Sequence, residues 1–405
     1  MLKLLIFIAL LPFVAYNQGY QVNLQGQIQQ GMASSGTALI QDAAALFYNP
    51  GGVSFLSKNE ASIGMTPTFA NATFLENNTL ETARTVSPVG TPFTAYGVFQ
   101  LSDSSKLKLG LAIYTPFGST IEWEPGWAGR FAVTRLQLKA IFFQPTVSYR
   151  ITDKIGLGAG FIYTTGSVNL QKDLPLLDQN GEYAHAELAG KGYGLGYNIG
   201  LYLEPTEHLS VGLTYRSEIA MNLTKGTATF TVPTSVEDKF PSGDFTSSLP
   251  LPQVATLAVA IKPNDKLAIA LDMNYVGWGA YDTLAFDYVI NTESLEDTKS
   301  PRHYVGTVAI RLGAQYKIND LFTARMGIGY ALSPVQNGYL TPETPDADRV
   351  NYTAGFGYHM NDQFDLNASL LFTQIEREDT NIETQLSGTF KAIVFAPGIS
   401  VAYKF

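Results

Sequence analysis

The chain has no cysteine, which excludes a disulfide framework and any cysteine-ligated zinc or iron–sulfur centre. Charge is scarce as well. Only 15% of the 405 residues are charged, against about 25% in ordinary soluble domains. Such a chain is short of groups to cover a wet surface. The formal net charge of −9 argues against a general nucleic-acid binder, which needs basic surface to displace counterions. After the N-terminus, no stretch approaches the ~20 consecutive apolar residues of a transmembrane helix. Histidine is limited to His185, His208, His303 and His359, none of them in a G-x-S-x-G context, so an enzyme is not expected. No ligand cluster suggests a metal or other cofactor; the acidic run Pro345-Asp346-Ala347-Asp348 is the one weak calcium candidate.

Aromatic side chains are abundant, with 24 Phe and 22 Tyr, too many for a solvated coil. The first seventeen residues read as a secretory signal peptide. Lys3 supplies the positive start, Leu4 to Val14 the apolar core, and Ala15-Tyr16-Asn17 a small-residue cleavage site near Asn17 or Gln18. An exported chain without a transmembrane helix enters a membrane only as a closed barrel.

Short polar turns punctuate the rest: Ser102-Asp103-Ser104-Ser105, Thr152-Asp153-Lys154, Pro205-Thr206-Glu207, Pro263-Asn264-Asp265, Asn319-Asp320 and Asn361-Asp362. They alternate with longer irregular stretches near 77–91, 116–132, 173–185, 232–249, 291–302, 334–348 and 379–384. Six turns and seven loops give fourteen strands, with both chain ends on the short-turn side. Bacterial outer-membrane barrels have even strand numbers, short periplasmic turns and long extracellular loops.

The strands alternate accordingly. From His303 to Ile318, Tyr304, Val308, Ile310, Leu312, Ala314, Tyr316 and Ile318 share one face, with Thr307, Arg311, Gln315 and Lys317 opposite. The segments 322–332 and 364–373 repeat the pattern. Cations in mid-strand suit a polar lumen with the apolar face toward lipid. Tyr149, Tyr275, Tyr316, Tyr330 and Tyr358 fall near strand ends, where an aromatic girdle would stand. Ile399, Val401, Tyr403 and Phe405 alternate to a terminal Phe, which resembles the signal that outer-membrane barrels present to their assembly machinery.

Residues 18–57 do not alternate. They are weakly helical, too polar for lipid and too short for a separate domain. A barrel of about fourteen strands is wider than its side chains can fill, so this segment is expected to fold back as a lumenal plug. The fold class is thus all-β, a 14-stranded antiparallel transmembrane barrel over 58–405 with an N-terminal hatch.

The Gly19-Tyr20-Gln21 start, the Ala-rich stretch and Asn49-Pro50 resemble the FadL family of outer-membrane transporters for hydrophobic compounds. Further matches follow in order: Thr115-Pro116-Phe117-Gly118, Trp123, Trp127, Gly129-Arg130, Leu249-Pro250-Leu251-Pro252, Asp272, Trp278, Pro334 and Pro345-Asp346-Ala347-Asp348-Arg349. The resemblance implies uptake of long-chain fatty acids or aromatic hydrocarbons. Ligand would be captured by extracellular loops, held in a lumenal pocket and released sideways at a kinked third strand. The family's Asn-Pro-Ala triplet reads Asn49-Pro50-Gly51 here, and glycine is expected to loosen that turn.

The catching surface is expected among the apolar loop residues Leu174, Leu176, Leu177, Phe240, Phe245, Leu249 and Leu251. Arg216, Arg311 and Arg325 point inward by alternation and would either bind a ligand carboxylate or pair with Asp272, Asp365 or Asp42. Asn49, Pro50 and Gly51, with Asp42, are the expected gating residues of the hatch. Expected partners are a hydrophobic small molecule, outer-membrane lipid and lipopolysaccharide, and the barrel assembly machinery, with a monomer the expected state. A non-selective porin is the competing reading; it predicts a water-filled lumen without a plug.

Overall fold

The computed structural model describes residues 19–102 and 104–405; the expected signal peptide at 1–17 lies outside them. The described chain is a closed antiparallel barrel of fourteen strands. In chain order these are β1 (Glu60–Met65 and Phe69–Glu76), β2 (Thr82–Arg84 and Phe93–Gln100), β3 (Leu107–Glu122), β4 (Arg135–Thr152), β5 (Ile155–Leu177) and β6 (Tyr183–Thr206). There follow β7 (Leu209–Arg216 and Ile219–Thr231), β8 (Gly243–Leu251 and Val254–Asn264), β9 (Leu267–Val276 and Thr283–Tyr288) and β10 (Thr298–Pro301 and Thr307–Lys317). The last are β11 (Phe322–Ala331), β12 (Arg349–His359), β13 (Phe364–Thr380) and β14 (Ser387–Lys404). β1 pairs with β14 from Glu60↔Lys404 to Glu76↔Gly388, so no edge is left for lipid.

The faces follow the pleat, but their polarity inverts partway up the wall. On β4 the outward residues Ile141, Val147 and Tyr149 are apolar, while Gln144, Thr146 and Ser148 point inward and are buried. Nearer the long loops the outward face carries Arg135, Gln137 and Lys139, and Leu138, Ala140 and Phe142 are buried inside. The lower part of the wall faces lipid, and the upper part faces water around an apolar interior.

This inversion corrects the loop boundaries. Parts of the stretches expected to be irregular at 116–132, 173–185 and 232–249 continue as strand in β3, β5, β6 and β8. A ladder that stands in water on its outer face needs no apolar alternation there, so its sequence reads as loop. A second correction concerns Tyr304. It is not on the lipid face: residues 302–306 interrupt β10, His303 takes φ 46°, and Tyr304 turns in beside Trp278 and Tyr281. Of the expected girdle, Tyr149, Tyr275 and Tyr316 are exposed on the outer wall.

Residues 19–55, before β1, lie inside the barrel and form two short helices, α1 (Gln27–Gln30) and α2 (Ala45–Tyr48), and a single turn of 3-10 helix at Gly52–Phe55. Helices of four residues leave most of their N–H and C=O groups without intrahelical partners. The wall supplies them. Gln27 Nε2 donates to Thr66 Oγ1 at 3.0 Å, Thr353 Oγ1 accepts from the Ala33 N–H at 2.8 Å, and Ser210 Oγ donates to Ala38 O at 2.6 Å. Asp272 Oδ2 accepts from both Gly36 and Thr37 N–H groups, at 3.2 and 3.1 Å. These partners come from the break within β1 and from β12, β7 and β9, so the plug is tied around the lumen.

Candidate functional site

Three cavities lie in series between the long loops and the wall. The innermost apolar one, ≈ 50 Å³, is lined by Leu136, Leu138, Val168, Leu170, Leu223, Leu249, Leu284 and Phe286. These side chains project inward from the upper part of β4, β5, β7, β8 and β9, where the polarity of the wall is inverted. Above it is an outer groove of ≈ 100 Å³ that shares Leu170, Leu284, Phe286 and Glu343 with the inner cavity and adds Phe131, Leu188, Tyr288 and Arg302. Arg302 is buried and donates to both carboxylate oxygens of Glu343, at 2.9 and 3.2 Å.

On the other side lies a chamber of ≈ 200 Å³ lined by Gly19, Gln21, Ser87, Gly118, Ile121 and Arg349 among others. It shares Tyr20, Glu343 and Thr344 with the apolar cavity. Tyr20, with Glu343 and Thr344, is therefore the partition. Its ring stands edge-on to Trp278 at 4.8 Å and Tyr281 at 5.5 Å, and its hydroxyl donates to Pro250 O.

The wall beside this chamber is irregular. Pairing between β2 and β3 stops at Thr94↔Tyr114 and resumes only with the bridge Thr85↔Trp123. At that level β3 carries Thr115-Pro116, with a register shift against β4 between Tyr114 and Phe117. Proline has no N–H, and the bulge turns the strand edge away from its neighbour. The exposed edge is capped from inside. Val22 N–H donates to Pro116 O at 2.8 Å, Gly118 N–H donates to Tyr20 O at 3.1 Å, and Gln21 bridges Phe117. Residues 20–22 of the plug thus close the seam and carry the partition at once.

The start of the plug is held by the loop between β11 and β12. Gly19 N–H donates to Asp346 Oδ2 at 3.0 Å, and Arg377 Nη1 donates to the Asp346 carbonyl at 3.4 Å. Burial pushes the Asp346 carboxyl up to about 7, against the Gly19 hydrogen bond and the nearby Arg349 and Arg377. Asp348 accepts from Ser333 N–H and Tyr330 hydroxyl. Both carboxylates of the suspected calcium run are thus turned to protein donors, and no group of three metal-ligating side chains occurs among the described residues.

The turn expected to gate the hatch is tightly packed rather than loose. Asn49 is fully buried; its Nδ2 donates to Thr37 O at 2.9 Å and Leu201 O at 3.1 Å, and its Oδ1 accepts from Gly51 N–H at 3.0 Å. Gly51 has an ordinary helical φ of −66°, so conformational freedom is not why glycine stands there. A Cβ would meet the Gly200 carbonyl oxygen at 2.5 Å. Asp42 accepts from Gln29 Nε2 at 2.8 Å within the plug.

Of the expected catching residues, Leu249 lines the apolar cavity, and Phe245 backs it through Phe286 at 5.4 Å. Leu251 is buried on the same strand, and Phe240 packs on Phe230 at 6.1 Å. Leu174, Leu176 and Leu177 stand at the far tip of β5, outside the three cavities. The three inward arginines face the plug. Arg216 donates to Phe47 O at 2.8 Å and stacks 4.0 Å above the Phe47 ring. Arg325 donates to Asn367 Oδ1 at 3.0 Å. Arg311, opposite Asp272 in register, shares with Arg216 a separate polar chamber of ≈ 30 Å³. Tyr20, Leu136, Leu138, Leu284, Phe286 and Arg302 escaped the sequence reading. The alternation of Leu136 and Leu138 with Arg135, Gln137 and Lys139 was the available signal.

A family model described as outer membrane protein transport protein (OMPP1/FadL/TodX) matches residues 8–405. The long-chain fatty acid transport protein of Escherichia coli K12 is 24% identical, with 88% of each chain covered. Among solved structures, a Pseudomonas aeruginosa FadL homologue superposes with a TM-score of 0.82 at 19% identity, covering 96% of this chain and 100% of that one. The toluene transporter TodX of P. putida gives 0.73 at 19% identity, covering 94% and 98%.

Proposed function

This chain belongs to the OMPP1/FadL/TodX family of outer-membrane transport proteins, and on that premise we propose that it takes up hydrophobic compounds through the side of its barrel. Members of the family are transporters and channels rather than enzymes. The compounds are long-chain fatty acids or aromatic hydrocarbons. Capture occurs in the outer groove, transfer proceeds past Leu170, Leu284 and Phe286 into the apolar cavity, and release follows through the β2–β3 seam.

The observation that carries this reading is the double role of Tyr20 and its neighbours. The residues that separate the apolar cavity from the inner chamber also fill the defect in the wall. One displacement of residues 19–22 would therefore connect the cavity to the seam. Some displacement is required, because ≈ 50 Å³ is small beside the roughly 150 Å³ of a cavity that holds benzene. Each apolar group transferred from water into such a lining gains about 25 cal/mol per Å² buried.

The apolar cavity offers no cation to a carboxylate, and its single acidic side chain, Glu343, is already paired with Arg302. A fatty acid would place its tail in the cavity and its head in the outer groove near Arg302; a neutral hydrocarbon would sit inside entirely. Asn49, Pro50 and Gly51 anchor the body of the plug, against which residues 19–22 move. A tied plug weighs against the porin reading, and the route is complete within one chain, which suits a monomer. The test is titration of toluene and oleate into the purified protein beside Leu138→Asp. Saturable binding that this substitution abolishes supports the reading; no binding of either compound refutes it.

A further inference from the structure

The outer wall holds a row of lysines that uptake does not use. Across four neighbouring strands, β4 to β7, the register aligns Lys139 with Ser167, Ser167 with Lys191, and Lys191 with Lys225. All three lysines are exposed and belong to the outward face. Directly below Lys191 on β6 come Tyr193, Leu195, Tyr197 and Ile199, 45–58% exposed, which form the lipid-facing band. Lys139 likewise stands above Ile141 and Phe143 on β4, so these two lysines mark where the wall passes from lipid to polar surroundings on the long-loop side, while Lys225 on β7 stands above Asn222 and Ala220.

Strands lie about 4.8 Å apart, so the three lysines fall within about 15 Å along one line of register. Lys191 and Lys225 are direct cross-strand partners, and like charges opposed in this way destabilise a ladder. Among the described residues none of the three has a carboxylate partner. Elsewhere on the wall the equivalent boundary is neutralised within the protein: Lys391, above Ile393 and Phe395 on β14, pairs with Glu376 of β13 at 3.1 Å. The charge of the β4–β7 row has to be met from outside.

We propose that Lys139, Lys191 and Lys225 form a docking site for the phosphate of a lipid headgroup in the outer leaflet. A compact ammonium matches a phosphate as a point charge. Lys139 and Lys191, at the top of the apolar band of β4 and β6, stand where headgroup phosphates lie, with Lys225 beside Lys191 on the next strand. A lipid held there would brace the side of the barrel whose inner face lines the apolar cavity through Leu138, Val168 and Leu223. The site does not depend on which compound the lumen carries.

The test is native mass spectrometry of the mature protein with bis-phosphorylated lipid A, with fully dephosphorylated lipid A, and with millimolar inorganic phosphate as competitor. Surface lysines contribute about fivefold each to anionic-lipid affinity, so the wild type should prefer the phosphorylated lipid by about a hundredfold. The K139Q/K191Q/K225Q variant should lose that preference and K139R/K191R/K225R should keep it, both migrating as folded barrels on unheated gels. A wild type indifferent to phosphorylation, or a glutamine variant that retains the preference, overturns the proposal. Displacement by inorganic phosphate overturns the lipid as occupant.

Discussion

A Cβ on Gly51 would stand 2.5 Å from the carbonyl oxygen of Gly200, closer than real Cβ atoms come to backbone. The plug therefore touches β6 backbone to backbone, and Asn49 holds the contact through Leu201 O on the same strand. Gly51→Ala should push the turn off the wall, at a cost of about 1–3 kcal/mol. Amide hydrogen exchange at 49–53 should quicken while the barrel keeps its heat-modifiable migration. Unchanged exchange would mean that the approach is not close.

The seam offers a direct lock. Gln21 and Phe117 face each other in an antiparallel bridge, a spacing of about 4.5–5.5 Å that a disulfide can span. The chain has no other cysteine to interfere. Gln21→Cys with Phe117→Cys should lose at least about tenfold of hydrocarbon uptake when oxidised, a block worth roughly 1.4 kcal/mol or more. Reduction should restore it. Full uptake by the oxidised pair would remove residues 20–22 from the route.

The contact between Gly19 and Asp346 gives uptake a pH dependence of definite sign. In the latched state burial holds the carboxyl at about 7; once Gly19 leaves and water enters, it returns to about 4. The latched state binds the proton more tightly. Its advantage is complete below about 4, falls by up to about tenfold per pH unit above that, and is lost above about 7. Initial uptake rates should rise from pH 5 to 7 and then level off. Asp346→Asn should flatten the profile.

Leu138 is buried and faces the apolar cavity. Leu138→Asp places a carboxylate where nothing pairs with it, and hydrocarbon affinity should fall by at least about tenfold. Arg216→Gln, which loosens the plug at Phe47, should leave that affinity within about twofold, a difference under about 0.5 kcal/mol. Equal losses from both substitutions would place the ligand in the polar chamber instead.

Strand period, turn chemistry and loop asymmetry made the barrel and its strand number legible, because lipid on one side enforces strict alternation. The upper wall was misread for the same reason: above the bilayer the faces exchange polarity, and the strand segments within 116–132, 173–185 and 232–249 read as loop. The inward arginines looked like ligand groups because a lone cation in a lumen invites an anion. Arg216 serves the plug, and Arg325 bonds to Asn367 of the wall. Phe47 O, at the end of a four-residue helix, accepts from both Arg216 and Asn198. Tyr20 was legible only as part of the Gly19-Tyr20-Gln21 start; its role comes from the irregular stretch Pro116-Phe117-Gly118 that residues 20–22 cap, some hundred residues away in the chain.

The central claim is hydrophobic uptake through a plugged barrel. It is tested most directly by measuring entry of radiolabelled oleate, toluene and sucrose into cells that lack their own transporter and express this chain. The account predicts saturable entry of oleate or toluene above the empty-vector rate, with sucrose unchanged. Sucrose entry at a comparable rate, or no gain for either hydrophobic compound, would contradict it.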